Sequence, residues 1–83
     1  MKTDSFNFTG DNGYTYLVET RGEVIEDNYD SDSFTTKLIE YKVIDEEDEV
    51  VLHYLNEKYV KDELDKDFLE QIEDEIYYRG FEF

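Results

Sequence analysis

The chain has 83 residues, enough for one small domain, and a net charge of −16 from 24 acidic and 8 basic side chains. It contains no cysteine, which excludes disulfides and thiol chemistry, and no apolar run long enough for a membrane-spanning helix. Eight tyrosines and six phenylalanines supply ring area for a core, so the chain reads as a folded domain whose self-repulsion makes its stability rise with salt.

The opening residues Met1 to Ser5 lack the apolar stretch of a signal peptide, so a cytoplasmic location is expected. Ser5-Phe6-Asn7-Phe8 alternates polar and apolar side chains, and Tyr14 to Glu19 alternates again. The turn formers Thr9 to Gly13 lie between them, which predicts a β-hairpin. Gly22 marks a bulge or bend before Val24 and Ile25. Glu26 to Ser33 reads as a polar loop.

Phe34 to Ile44 carries the clearest strand signal, with Ile39, Tyr41 and Val43 on one face and Leu38, Glu40, Lys42 and Ile44 on the other. Asp45 to Asp48 forms a tight acidic turn, and Glu49 to Leu55 returns as a fourth strand. The period then changes. Val60, Leu64, Phe68, Ile72 and Ile76 recur every four residues, joined by Leu69, as on the apolar stripe of an amphipathic helix. Asn56, Asp62 or Asp65 would cap its start, and Gly80 its end. Phe81 to Phe83 either folds back on the core or stays loose. The expected fold is α+β: one domain over residues 1–83, with an antiparallel sheet of about four strands and one long C-terminal helix packed on one face.

Reactive constellations are absent from this pattern. His53 is the only histidine and falls within a strand alternation; the serines occupy no nucleophile elbow; the four glycines form no phosphate loop. Asp45 to Glu49 lacks the ligand spacing of a calcium loop. The chain is therefore expected not to be an enzyme and to hold no metal or cofactor.

The charge itself is the distinctive feature. Residues 43–83 hold 15 acids against 4 bases. Glu63, Asp67, Glu70 and Asp74 follow spacings of four, three and four, so on a helix they share one face, flanked by Glu73 and Glu75. Like charges so placed cost about 0.2–0.5 kcal/mol per pair. A net charge of about 2–8 is enough to keep a small domain soluble. A row of carboxylates resembles a row of phosphates, and DNA-binding proteins grip phosphates with Lys and Arg.

The segment Lys42-Val43-Ile44-Asp45-Glu46-Glu47-Asp48-Glu49-Val50-Val51-Leu52, with the later Ile72-Glu73-Asp74-Glu75-Ile76-Tyr77, resembles small acidic proteins common in bacteriophage genomes. The resemblance spans the last half of the chain and is one of pattern and composition. It implies a few strands, an acidic turn and a terminal acidic helix. Some such proteins are anti-CRISPR or anti-restriction inhibitors that imitate DNA, which implies the cytoplasm of a bacterial host. The expected function is then binding to a basic, nucleic-acid-binding protein, with no direct contact to nucleic acid or membrane. Its expected contact residues are Asp45, Glu46, Glu47, Asp48, Glu49, Glu63, Asp67, Glu70, Glu73 and Asp74. The alternative is an assembly protein that pairs, as a homodimer or with another chain, through a sheet face exposing Tyr14, Tyr16 or Tyr41.

Overall fold

The computed structural model describes residues 1–26 and 34–83, so the loop expected at Glu26 to Ser33 lies, from residue 27 on, outside the described residues. Six strands and one helix follow in order: β1 (Lys2–Thr9), β2 (Thr15–Glu26), β3 (Phe34–Ile44), β4 (Val50–Leu55), β5 (Lys58–Asp62), α1 (Lys66–Tyr78) and β6 (Phe81–Glu82). The sheet order is β1-β2-β3-β4-β5, each neighbour antiparallel, and β6 pairs in parallel with β3. The architecture is α+β, as expected, with more strands and a shorter helix.

The first hairpin closes where the turn formers predicted. Gly13 has φ 84°, and Asn12 Oδ1 accepts the Tyr14 N–H at 3.0 Å. The register of β2 against β3 shifts between Arg21 and Gly22, so the bulge expected at Gly22 is present. Glycine is needed there for space: a Cβ would lie 2.7 Å from Thr36 Cγ2 and 2.8 Å from the Lys37 carbonyl oxygen. The same shift leaves Ile39 without a partner on β2 and changes the phase of β3. Leu38 is consequently buried in the same core as Tyr41 and Val43, contrary to the simple alternation that set it on the opposite face.

The strand β5 replaces the start of the expected helix. Asn56 and Glu57 both adopt left-handed φ, 50° and 68°, and form a tight turn of the type that joins paired strands. Asn56 is therefore a hairpin residue and not a helix cap. Val60 belongs to β5, 64% exposed, and not to the helical stripe. The helix begins after Asp65, whose φ and ψ are extended, and runs for 13 residues, about 20 Å at 1.5 Å per residue. It buries Leu69, Ile72 and Ile76, with Phe68 packed beside them, so the later two-thirds of the stripe holds. Beyond Arg79, Gly80 takes φ 99° and bonds the Tyr77 carbonyl at 3.0 Å.

The tail folds back. Because β4 covers only Glu40 to Ile44, the first part of β3 keeps a free edge on that side, and β6 occupies it through Thr36↔Phe81 and Lys37↔Glu82. Phe81 is fully buried. The core lies between α1 and one face of the sheet: Phe6, Val18, Leu38, Tyr41, Val43, Leu52 and Tyr54 meet the helix side chains there.

Among the described residues the opposite sheet face carries no helix, and it mixes polar and charged side chains with the apolar pair Leu17 and Ile44. The pairings Arg21↔Glu40 and Lys42↔His53 put Arg21, Glu40, Lys42 and the His53 imidazole side by side across it. Glu40 accepts from Arg21 Nε at 3.3 Å and lies 2.7 Å from His53 Nε2. The hydrogen bond from His53, ahead of the attraction of Lys42 and Arg21, holds its carboxyl below the usual range despite partial burial. Of the aromatic side chains expected to be exposed for assembly, Tyr41 is buried under α1 and Tyr16 packs on Phe68, while Tyr14 is 58% exposed. No described helix is long and apolar enough to cross a membrane.

Candidate functional site

Antiparallel order decides where the charged loops go. The β1–β2 turn, the β3–β4 turn and the junction from β5 to α1 all fall at the same end of the sheet. That end collects Asp11, Asp45 to Glu49, Asp62, Glu63, Asp65 and Asp67, with Lys66 among them. The three segments share walls. Asp11, Glu63, Asp65 and Asp67 line one groove of about 640 Å³ with Tyr16, and Tyr16 also lines a second groove with Tyr14, Asp45, Glu46 and Glu47. Glu63 is fixed beside β4 by its N–H, which donates to the Val51 carbonyl at 3.0 Å.

Within the β3–β4 turn the carboxylates have different tasks. Asp45 Oδ1 accepts the N–H groups of Glu47 and Glu49, both at 2.9 Å, and shapes the loop. Glu46 Oε1 accepts the Thr15 N–H at 3.0 Å and joins the turn to β2. The side chains of Glu47, Asp48 and Glu49 are exposed and have no hydrogen-bond or ion-pair partner among the described residues. Asp48 holds φ 62°, which turns the chain back into β4.

The expected helical row divides. Glu63 precedes the helix and lies 3.8 Å from Lys61. Asp67, Glu70 and Asp74 do share one face, opposite Leu69, Ile72 and Ile76, and are exposed without ion pairs among the described residues. Glu73 turns toward the sheet. Its Oε2 accepts the Tyr41 hydroxyl at 2.9 Å and the Tyr59 hydroxyl at 2.8 Å, tying α1 to β3 and β5. Burial, with the Glu73 carboxylate beside it, raises the Tyr41 hydroxyl well above its ordinary value. Burial and the hydrogen bond to Glu73 push Tyr59 up to about 12. Glu73 thus serves the fold, and its expected place in the binding face is corrected.

Lys61 and Lys66 lie at this end, and most other paired cations lie away from it. Arg79 pairs with Asp4 at 3.2 Å and Glu75 at 3.1 Å, Lys37 pairs with Glu57 at 3.3 Å, and Arg21 pairs with Glu40. Lys2 lies over the Phe81 ring and donates to the Arg79 carbonyl. Much of the positive charge is therefore spent on acids of the far end and the open sheet face, and at the acidic end only Lys61 and Lys66 stand against the row of carboxylates. Sequence spacing overlooked Asp11, Asp62 and Asp65 as members of this end; the strand order is the signal that joins them. Among the described residues no three His, Asp or Glu side chains converge as metal ligands. No family model, curated protein or solved structure matches the chain.

Proposed function

We propose that this chain is an acidic protein-binding module that occupies the nucleic-acid-binding surface of a basic protein, acting as an inhibitor that imitates DNA. The supporting observation is the separation of charge: Glu47, Asp48 and Glu49 at one end and Asp67, Glu70 and Asp74 on the outer helix face have no ion-pair partner among the described residues, while Arg21, Lys37, Lys61 and Arg79 are paired with acids among those residues. Asp67, Glu70 and Asp74 span eight residues of helix, a rise of about 10 Å. One DNA strand presents a charge about every 3.4 Å along its axis, so it sets about three phosphates over the same distance. Lys and Arg arranged to hold those phosphates can accept carboxylates instead, and the long-range field speeds encounter. The likeness to small acidic phage proteins points to a host defence or DNA-binding protein as the target.

The test is capture from bacterial lysate with wild type and with a variant carrying Glu47→Gln, Glu49→Gln, Asp67→Asn, Glu70→Gln and Asp74→Asn. The expected result is a nucleic-acid-binding protein that wild type retains, the variant loses, duplex DNA displaces and high salt releases. A partner that binds both forms equally, or that ignores both salt and DNA, refutes the proposal.

A further inference from the structure

We infer that the groove between Tyr14, Tyr16 and the β3–β4 turn receives an arginine side chain of the basic partner; this rests on the function proposed above and names the chemistry of one contact within it. The groove has a volume of about 280 Å³ and is lined by Tyr14, Tyr16, Asp45, Glu46 and Glu47. That lies just below the range of about 300–1,000 Å³ typical of small-molecule pockets, a size suited to a single side chain.

Its walls combine two chemistries that select a cation together. Tyr14 is 58% exposed, and its ring has no aromatic partner and its hydroxyl no hydrogen bond among the described residues. The fold leaves this ring unemployed while holding its backbone through Asn12. Tyr16 is fixed from below by Phe68, centroids 5.2 Å apart. In the same groove, Asp45 and Glu46 are each held through one oxygen by backbone N–H groups, of Glu47 and Glu49 for Asp45 and of Thr15 for Glu46. The Glu47 carboxylate accepts no hydrogen bond among the described residues. Among the described residues no Lys or Arg lines the groove. An anion is repelled there, and an apolar group would leave carboxylates facing it. A guanidinium satisfies both walls, since its plane stacks on a ring while its edge donates two N–H bonds to one carboxylate. An ammonium can pair with the carboxylate but has no plane to stack. The two pinned carboxylates require no ordering on binding, which favours affinity.

The experiment titrates the isotope-labelled protein with an arginine hexapeptide and, separately, a lysine hexapeptide, following backbone amide shifts. The expected result is shifts centred on residues 14–16 and 45–47 with the arginine peptide, which binds more tightly than the lysine peptide. Tyr14→Ala is expected to weaken arginine-peptide binding about three- to fivefold and remove the preference over lysine. Tyr14→Phe keeps the ring and is expected to retain the preference. Tyr14 is exposed, so these variants keep the fold, which the dispersion of the same spectra verifies. Equal binding of both peptides, shifts spread evenly over the acidic end, or an unaffected Tyr14→Ala overturns the groove assignment and leaves the proposed function standing. Binding of neither peptide overturns both.

Discussion

Replacing Glu73 with alanine separates a carboxylate used by the fold from carboxylates displayed by it. The Tyr41 side chain is fully buried, and its hydroxyl donates to Glu73 at 2.9 Å. Without Glu73 that hydroxyl keeps only the neighbouring Tyr59 hydroxyl within reach, and the loss of its carboxylate acceptor in a buried place costs about 1–3 kcal/mol. The second bond, from Tyr59, is half exposed, and water substitutes for much of it. A net loss of about 2 kcal/mol in a domain of this size lowers the melting temperature by about 8–16 °C. Asp74→Ala removes the same charge one residue further along the helix, where the side chain is exposed and without an ion pair among the described residues. It is expected to be neutral within about 0.5 kcal/mol, or stabilising, because it relieves repulsion. Urea unfolding followed by circular dichroism on both variants gives the comparison. If Glu73→Ala and Asp74→Ala are equally stable, the tyrosine clamp does not hold the helix and the reasoning fails.

Other consequences are open to direct measurement. Glu57→Gly is expected to stabilise the protein by about 0.5–1 kcal/mol, since glycine relieves the left-handed φ of 68° and the lost Lys37 pair is exposed; a lower urea midpoint would contradict this. Gly22→Ala is expected to destabilise by about 1–3 kcal/mol, because the new methyl meets Thr36, the Lys37 carbonyl and the Phe81 ring, at 2.9 Å from its Cδ1; unchanged stability would show that the bulge can relax. Stability is also expected to decline in alkali. Tyr59 is raised to about 12 and Tyr41 and Tyr54 are also raised, so the folded state keeps protons that the unfolded chain releases from about pH 10. The contribution is complete below pH 10 and is lost as pH rises toward and through 12, and a urea midpoint equal at pH 9 and pH 11 would refute it.

The separation between exposed and employed carboxylates explains why composition alone misleads about the proposed binding face. Asp45, Glu46 and Glu73 belong to the same acidic segments as Glu47, Glu70 and Asp74, yet their oxygens hold backbone or tyrosine donors. Charge in the sequence therefore overstates the number of carboxylates free for a partner. The orientation of each side chain depends on which strand lies across from it.

Features set by neighbours along the chain were legible without the fold. The hairpin around Gly13, the bulge at Gly22, the acidic turn at Asp45 and the apolar face from Phe68 to Ile76 each follow from backbone freedom or periodicity over a few residues. The strand β5 was hidden because Val60 fits the four-residue spacing of the helix that follows, and because the turn before it uses Asn56-Glu57 in place of a glycine pair. Tertiary structure alone decided that three loops meet at one end, that Glu73 turns inward, and that Phe81 extends the sheet beside β3. Those outcomes depend on pairing between segments distant in sequence. A local pattern specifies how a segment folds and which face is apolar, whereas the partner strand determines what that face meets.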